Sequence, residues 1–310
     1  MEQIIGTRGT YIITGKQGGK GKFGGIWTGT TADGEQRVSV KRIEKYGDAL
    51  PTLMQQLVGV VQPNVAPTID TWIGTDGCLY VVRKYIVGTD LKTVFTNKAI
   101  YRKVDEMKFV EAGLAVLDAL EAVHNAGIIH RDVKPSNIII PHADNADVTL
   151  QDFSKAVLID FEQCSAYPNN SDVRSSFALI FSPPEMLLKR NKLVCPASDL
   201  FALSISLFQL IMGKAPYTDC NPEILVNLQL TYPMKQPARM DDKLFAVLSK
   251  AAAKASFPKP PRQLAPDVVE QILQDGISMR YQSAAQMRTD LQQVSQTFKP
   301  VSWLSKIFRE

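Results

Sequence analysis

The residues best suited to catalysis in this sequence lie close together in one short stretch. Asp132, Lys134 and Asn137 fall within six positions, shortly after the apolar pair Ile128-Ile129. A carboxylate can orient a hydroxyl group, an ammonium can neutralise a phosphate, and a carboxamide can hold a metal ion. The alternative is a polar surface turn after a helix. Several suitable residue types at fixed offsets favour phosphate chemistry.

A glycine-rich stretch near the start of the chain could hold such a phosphate. It fits the spacing G-x-G-x-x-G-x-V, and it contains Gly19, Gly21, Phe23, Gly24 and Ile26. Glycines let a hairpin lie close over phosphates and expose backbone N–H groups to them. Taken alone, such a motif is more often an ordinary hairpin. A dinucleotide-binding site would need a helix straight afterwards, but the β-prone stretch 25–28 follows.

The elements around these motifs follow from composition and spacing. Short β-prone runs at 11–13, 25–28 and 37–41 alternate with glycine turns, which predicts strands of an antiparallel sheet. Apolar residues at helical spacing between Phe109 and Ala126 predict a helix that leads into the stretch around Asp132. The chain therefore begins as a sheet and continues as helices.

The order of the motifs resembles that of protein kinases, most of all bacterial kinases of the eukaryotic-like serine/threonine type. The motifs are the glycine stretch, Val38–Lys41, H-R-D-x-x-x-x-N at 130–137, D-F-E at 160–162, S-P-P-E at 182–185, S-D at 198–199 and R-Y-x-S-A at 280–284. The resemblance covers roughly residues 15–294. It implies an α+β, two-lobed fold with a small antiparallel N-lobe (1–86), a mostly helical C-lobe (87–296) and a tail (297–310).

The resemblance also implies a role for each site residue, with ATP and Mg²⁺ as cofactors. Asp132 would orient the substrate hydroxyl and accept its proton, and Lys134 would stabilise the transferring phosphoryl group. Nucleotide phosphates would be positioned by Lys41 and the glycine stretch. Mg²⁺ would be held by Asn137 and Asp160. The base would meet the backbone of Lys84 and Ile86, with Ile139 beneath it.

Two further choices depend on the same resemblance. Asp152-Phe153 also carries the Asp-Phe pair, but Asp160-Phe161 follows the strand-like run 156–159, so we assign the metal role to Asp160. Lys134 favours a serine/threonine kinase over a tyrosine kinase. The S-P-P-E and S-D motifs favour a protein substrate over a small molecule, although the substrate itself stays unknown.

The sequence departs from the family around Lys41. Active kinases pair this lysine with a glutamate on the following helix, but Leu53 stands at that position and no acid lies between Ala49 and Ile69. Glu162 replaces the glycine of D-F-G. We hypothesise that Glu162 is the missing partner of Lys41 or of Arg83. The alternative is a Glu162 side chain that points to solvent.

Other positions leave alternatives open. Arg83 occupies the usually apolar gatekeeper position, unless a one-residue misalignment leaves it exposed, and Asp90 could meet the ribose. Phe177-Ala178 replaces the usual Gly-Thr. The activation segment offers phosphorylation sites at Ser165, Ser171, Ser175 and Ser176, with Arg131 as the residue that would receive the phosphate.

Two functional classes follow. The first is an ATP- and Mg²⁺-dependent serine/threonine protein kinase that could phosphorylate itself. The second is a pseudokinase that binds nucleotide and acts as a scaffold, which the departures at Leu53, Glu162 and Phe177-Ala178 favour. Against the scaffold, Lys41 and the four polar residues of the catalytic and metal motifs are all present.

Composition limits the partners and the cellular compartment expected for this protein. A net charge of +4 without a long basic run gives little support for nucleic acid binding. Four cysteines without close pairing, and no signal-peptide pattern, predict a cytoplasmic protein. The apolar run 200–212 is too short to span a bilayer and predicts a buried core helix. The tail carries Trp303, Leu304, Ile307 and Phe308 at helical spacing. It could dock on its own C-lobe, on a partner or on a membrane surface.

Overall fold

The computed structural model describes residues 2–16, 25–168 and 178–297. The strands are β1 (Gln3–Ile5), β2 (Thr10–Lys16), β3 (Ile26–Thr31), β4 (Arg37–Ile43), β5 (Thr68–Ile73), β6 (Leu79–Lys84), β7 (Gly88–Asp90), β8 (Ile128–Ile129), β9 (Ile138–Pro141), β10 (Val157–Leu158) and β11 (Ser165–Ala166). The helices are α1 (Leu50–Val58), α2 (Leu91–Thr96), α3 (Lys98–Tyr101), α4 (Glu106–Asn125), α5 (Pro184–Leu187), α6 (Pro196–Met212), α7 (Pro222–Thr231), α8 (Asp242–Ala251), α9 (Pro266–Ser278) and α10 (Ala284–Thr297).

The first half of the fold is a six-stranded antiparallel sheet in the order β1-β2-β3-β4-β6-β5, with α1 packed against β5. In β4 the side chains alternate between the two faces. Val38 and Val40 are fully buried on one face, so Ser39 and Lys41 point to the other. That alternation directs Lys41 towards the cleft between the sheet and the helices.

The second half is built on α4 and α6, which pack against each other and against α10. Asp105 caps α4 by accepting a hydrogen bond from the N–H of Met107 at 2.9 Å. Past its end, Gly127 adopts a φ of 74°, a left-handed conformation that suits glycine. The chain thereby turns directly into β8 and the catalytic stretch. The predicted α+β, two-lobed architecture is confirmed.

The apolar run at 200–212 is the core helix that composition predicts. All but one of the residues of α6 from Ala197 to Met212 are buried. Across the described residues, the structure holds no helix that is both long and apolar enough to cross a membrane. The helix begins at Pro196, and Ser198 caps it from inside the first turn by accepting a hydrogen bond from the N–H of Cys195 at 3.1 Å.

A buried ion pair fastens the segment that closes the activation loop to the last third of the chain. Arg280 donates two hydrogen bonds to Glu185, at 2.9 and 3.2 Å, and both side chains are almost fully buried. Ser198 donates a third hydrogen bond to Glu185 at 2.6 Å. The negative charge of Glu185 is therefore neutralised only while Arg280 is present.

Replacing Arg280 with methionine is expected to lower the free energy of unfolding by about 3–5 kcal/mol, because it leaves the Glu185 charge buried without a cation. Urea denaturation followed by circular dichroism measures the change. Lys155→Met is the control, since its pair with Asp152 is exposed and should matter by less than about 1 kcal/mol. Equal losses in the two variants would contradict the expectation.

Candidate active site

A cleft of about 330 Å³ lies between the sheet and the helical half. Residues of both halves line it, and those expected at a nucleotide are Ile26, Lys41, Lys84, Ile86, Ile139 and Asp160. The other glycine-stretch residues, Gly19, Gly21, Phe23 and Gly24, lie outside the described residues. Glu162, Arg83 and Asp90 also contribute to the lining. Asn137, the other described residue of the predicted nucleotide set, does not line this cleft and lies beside it, after Ser136, which does.

The backbone of the catalytic stretch is fixed by one buried carboxylate on α6. Asp199 accepts hydrogen bonds from the N–H groups of His130 and Arg131, each at 2.8 Å, and from His124 at 2.9 Å. Burial by itself would raise the pKa of Asp199, but the hydrogen bond from His124 and its neighbours hold that pKa below its usual value. Asp199 is therefore an ionised anchor beneath the loop.

Replacing Asp199 with asparagine is expected to lower the free energy of unfolding by about 2–4 kcal/mol, because one acceptor oxygen and the charge that faces His124 are lost. Thermal and urea unfolding measure the loss. Asp219→Asn is the matched control, because Asp219 is exposed and bonds only locally. A loss below about 0.5 kcal/mol for Asp199→Asn would show that the carboxylate does not anchor the loop.

Within the catalytic stretch, Lys134 and Asn137 both bond the carboxylate of Asp132. Lys134 donates to Oδ2 of Asp132 at 2.6 Å, and the Asn137 amide donates to the same oxygen at 2.9 Å. Asn137 also donates to the backbone carbonyl of Asp132 at 2.8 Å. One oxygen of Asp132 is thus held in place, and Oδ1 is left for another donor. A small cavity beside Asp132 is lined by Ala178, where the family carries threonine.

Antiparallel pairing brings Asp160 to the catalytic stretch. β9 starts directly after Asn137 and pairs with β10, which ends just before Ile159. The N–H of Ile159 donates to the carbonyl of Asn137 at 2.9 Å, and His130 bonds the carbonyl of Ile159 at 3.0 Å. Asp160 itself has a φ of 66°, a left-handed conformation that a non-glycine residue keeps only when its surroundings impose it.

Lys41 reaches two carboxylates of the D-F-E segment. It forms a buried salt bridge with Glu162, whose side chain is only 5% exposed, and its Nζ lies 3.4 Å from Oδ1 of Asp160. The pairing of Glu162 with Lys41 confirms the first form of the sequence hypothesis, and the expectation of a solvent-facing Glu162 is wrong. The partner of the lysine comes from the segment that follows β10, and α1 carries no acid at all.

One ammonium faces two acids in this cluster, so their pKa values diverge. Burial and the neighbouring Asp160 charge raise the pKa of Glu162 to about 8, and Lys41 opposes that rise. Burial also acts to raise the pKa of Asp160, but Lys41 and the hydrogen bond with Glu162 lower it to about 2. The negative charge therefore settles on Asp160, the residue expected to bind metal.

Comparison with known proteins identifies the family. A model of the protein kinase domain matches residues 13–290, most of the chain. This chain belongs to the protein kinase family. Several of its curated relatives are serine/threonine-protein kinases by name. PkaB of Streptomyces coelicolor is 27% identical over 252 residues, and PknB of Corynebacterium glutamicum is 32% identical over 143 residues.

The kinase domain covers only part of those relatives. The alignments span 76% of this chain and 57% of PkaB, and 46% of this chain and 21% of PknB. Among solved structures, the PK-1 kinase of Cydia pomonella granulovirus superposes with a TM-score of 0.63 at 12% identity. That match covers 89% of this chain and 92% of the viral chain. At such low identity the viral protein supports the kinase fold alone.

The back wall of the kinase cleft contains a buried guanidinium. Arg83 is 8% exposed, so it occupies the predicted gatekeeper position, and the alternative of a misaligned, exposed arginine is wrong. Its Nη2 donates to the sulfur of Met54 on α1 at 3.5 Å, and its Cζ lies 5.5 Å from the centre of the Phe161 ring. Arg83 therefore contacts both α1 and the D-F-E segment.

Several predicted roles change in the folded kinase domain. Ser165 is 1% exposed and lies in β11, so its hydroxyl is inaccessible in this conformation, and this predicted phosphorylation site is wrong for the described structure. Ser171, Ser175 and Ser176 lie outside the described residues. Asp90 lines the cleft and also caps α2 by accepting from the N–H of Thr93 at 2.9 Å.

The structure also places Asp152 and Arg131, two polar residues that the sequence analysis singled out. Asp152 is exposed and caps a short 3₁₀ turn, in line with the choice of Asp160 as the metal carboxylate. The guanidinium of Arg131 is buried and bonds the side chain of Asn191 at 3.1 Å. Sequence reasoning missed His124, which pairs with Asp199. The only local signal was its position at the end of the helix that leads into the catalytic stretch.

Proposed function

We propose that this kinase domain transfers the γ-phosphoryl group of ATP to a serine or threonine hydroxyl of a protein, with Mg²⁺ as cofactor. The observation that carries the proposal is that Lys134 and Asn137 both bond the carboxylate of Asp132. This group lies beside the cleft that Lys41 and Asp160 line. Phosphoryl transfer needs positioning and charge stabilisation more than covalent chemistry, and these residues supply both.

Asp132 has the geometry of a group that receives the substrate proton. Lys134 and Asn137 hold Oδ2 at 2.6 and 2.9 Å, which directs Oδ1 towards the incoming hydroxyl. The Lys134 ammonium lies within a hydrogen bond of the same carboxylate, so it can neutralise charge on the phosphoryl group as it transfers. Because Lys134 already bonds Asp132, the threonine that kinases carry at the position of Ala178 is not needed to hold Lys134 in place.

The residues present fit a bound Mg²⁺. Asp160 is ionised, and the amide nitrogen of Asn137 is used in two hydrogen bonds, which leaves its oxygen for a cation. The described residues contain no group of three or more His, Cys, Asp or Glu side chains able to hold a metal ion. That suits Mg²⁺, which takes one or two protein ligands and completes its shell with phosphate oxygens and water. When bound, the ion neutralises the charge of the nucleotide phosphates.

The base end of the cleft is supplied by β6 and the segment after it. Lys84 and Ile86 line the cleft, and Ile139 faces them from β9. These residues give apolar contact and backbone hydrogen-bonding groups for adenine. The N–H of Lys84 is already used by the carbonyl of Pro67 at 3.0 Å. The Lys84 carbonyl and the Ile86 backbone are thus the groups proposed to meet the base.

The competing function is a nucleotide-binding scaffold without transfer activity. Its main support was a lysine without a carboxylate partner, and Glu162 supplies that partner. What remains in its favour is Glu162 in place of the usual glycine and the pair Phe177-Ala178, of which Ala178 lies beside Asp132. We therefore propose the active kinase.

The Mg²⁺ assignment is tested by exchanging the two Asp-Phe aspartates separately. Asp160→Asn is expected to reduce Mg²⁺-dependent ATP binding at least tenfold and to reduce transfer of label from γ-labelled ATP by 10²-fold or more, because it removes the charged ligand. Asp152→Asn is the matched control and should leave both unchanged. A wild-type chain that binds ATP but transfers no label would favour the scaffold. Equal effects of the two variants would overturn the metal assignment.

A further inference from the structure

The outer face of the N-terminal sheet, opposite α1, carries a small core of its own. The turn after β1 is tied to Asp70 of β5, which accepts hydrogen bonds from the Thr7 hydroxyl, from the N–H of Arg8 at 2.8 Å and from the Tyr11 hydroxyl at 3.1 Å. Asp70 is fully buried. Because β1 and β5 are the two edges of the sheet, this contact curls the sheet until its edges face each other.

A groove of about 700 Å³ lies between these edges, roughly twice the volume of the nucleotide cleft. Residues 2–5 form one side and 72–76 the other, while Trp27, Arg42 and Tyr80 line it between them. Trp72 stacks on Tyr80 with ring centres 5.1 Å apart. Such a volume lies within the usual range for a ligand or peptide site.

The rims of the groove expose large apolar side chains. Ile5 at the end of β1 is 76% exposed, and Ile73 at the end of β5 is 56% exposed. Within the described residues, β1 pairs only with β2, and β5 pairs only with β6. Each edge strand therefore offers unpaired backbone N–H and C=O groups as well as apolar contact. An extended segment could add to either edge as a further strand.

The groove also has a net negative charge. Arg42 donates to Asp76 at 2.8 Å and to Glu44 at 2.6 Å, so its own charge is already neutralised. Glu2 adds another carboxylate at the opposite rim. Among the lining residues, the two acids Glu2 and Asp76 against the one guanidinium of Arg42 leave one negative charge, which favours an occupant that is apolar and basic.

We propose that the C-terminal segment 298–310 docks in this groove as an added strand. It carries Trp303, Leu304, Ile307 and Phe308, and three cations against Glu310, which gives two positive charges. In an extended strand, Trp303 and Ile307 share one face, which suits an aromatic groove. The segment lies outside the described residues. The proposal is independent of kinase activity.

The sequence of the tail also allows it to dock on its own C-lobe, which is the surface that competes with the groove. α10 ends at Thr297, and Arg288 of α10 bonds Asp118 of α4 at 2.5 Å, so α10 lies along α4. The most exposed large apolar side chain of the described C-lobe is Leu150, at 80%. It lines neither the groove nor the nucleotide cleft. Leu150 therefore provides the matched control position.

Disulfide trapping in the full chain tests the location. Ser305→Cys is combined with Ile73→Cys, and Cys220→Ser removes the exposed native thiol. Mild oxidation and peptide mapping should give a 73–305 disulfide, with at least tenfold less product when Leu150→Cys replaces Ile73→Cys. Residue 305 lies eight positions after the end of α10 at Thr297 and reaches at most about 29 Å from it. Electrophoresis shows whether the link forms within one chain or between two. No product at 73, or more at 150, would overturn the proposal.

Hydrogen exchange in the otherwise unmodified chain tests strand addition. Trp303→Ser/Ile307→Ser should speed amide exchange in β1 or β5 at least tenfold, because the docked strand protects that edge. Exchange in β3 and β4, which are paired on both sides, should not change. Identical exchange at both edges in the wild type and the variant would show that the segment does not add there.

Discussion

Asp132→Asn is expected to lower turnover by 10²–10⁴-fold while leaving ATP affinity within about threefold of the wild type. The substitution keeps the shape of the side chain and can still bond Asn137, but it removes the group that accepts the substrate proton. Asp132 is not part of the lining of the nucleotide cleft, so the nucleotide should bind almost unchanged. Transfer of label from γ-labelled ATP and calorimetric ATP titration measure the two effects.

The pattern of the two measurements separates the possible causes. A loss of both turnover and ATP affinity would mean that the loop had collapsed, which unfolding measurements would also show. Unchanged turnover would contradict the role of Asp132 as the proton acceptor. Lys134→Met provides a second test of the site, because it removes the ammonium that bonds Oδ2 of Asp132 at 2.6 Å. It should lower turnover but leave Asp132 able to accept the proton.

Glu162→Gln is expected to reduce kcat/KM for ATP by roughly 30-fold, about 2 kcal/mol. Glutamine matches the shape of glutamate but cannot form the ion pair with Lys41, and the assay is run near pH 9, where Glu162 with its pKa of about 8 carries its charge. Kinetics at varied ATP should show the loss chiefly in KM if Lys41 positions bound phosphates in the ground state, and chiefly in kcat if it acts in the transition state. A Glu162→Gln chain with unchanged ATP affinity and turnover would contradict the assignment.

Moving the carboxylate provides the sharper control. Leu53 on α1 is 4% exposed and stands where active kinases carry the partner glutamate. Adding Leu53→Glu to Glu162→Gln should recover part of the lost kcat/KM, whereas adding Leu53→Gln should recover none. Rescue by both residues would point to a packing effect. Rescue by neither would mean that α1 cannot bring a carboxylate to Lys41 in this fold.

The position of Glu162 has a mechanical consequence. In kinases with a helix glutamate, the lysine is positioned by one element and the metal by another. Here Asp160 and Glu162 lie two residues apart on one segment, and both contact Lys41. Lysine placement and metal placement therefore depend on the same stretch of backbone. α1 is linked to that stretch through Arg83, which contacts Met54 and the Phe161 ring.

Local spacing determined the parts of the site that lie within a few residues of one another. Asp132, Lys134 and Asn137 form mutual hydrogen bonds because a short turn cannot hold them far apart. The apolar run before Asp160 predicted a buried strand, and that strand pairs with β9 to bring Asp160 to the catalytic stretch. Hydrophobic periodicity likewise predicted α4, and the continuous apolar run 200–212 predicted the buried α6. These features depend on short-range sterics and on which face of an element is apolar.

The tertiary structure alone decided which of the distant residues meet. Lys41 and Glu162 are 121 positions apart, and nothing in their spacing distinguished a buried pair from a solvent-facing glutamate. The burial of Arg83 and Ser165 and the contact of His124 with Asp199 have the same origin. Each depends on how the sheet, α1 and α6 pack, because burial removes water and leaves a charged or polar group only the partners that packing supplies.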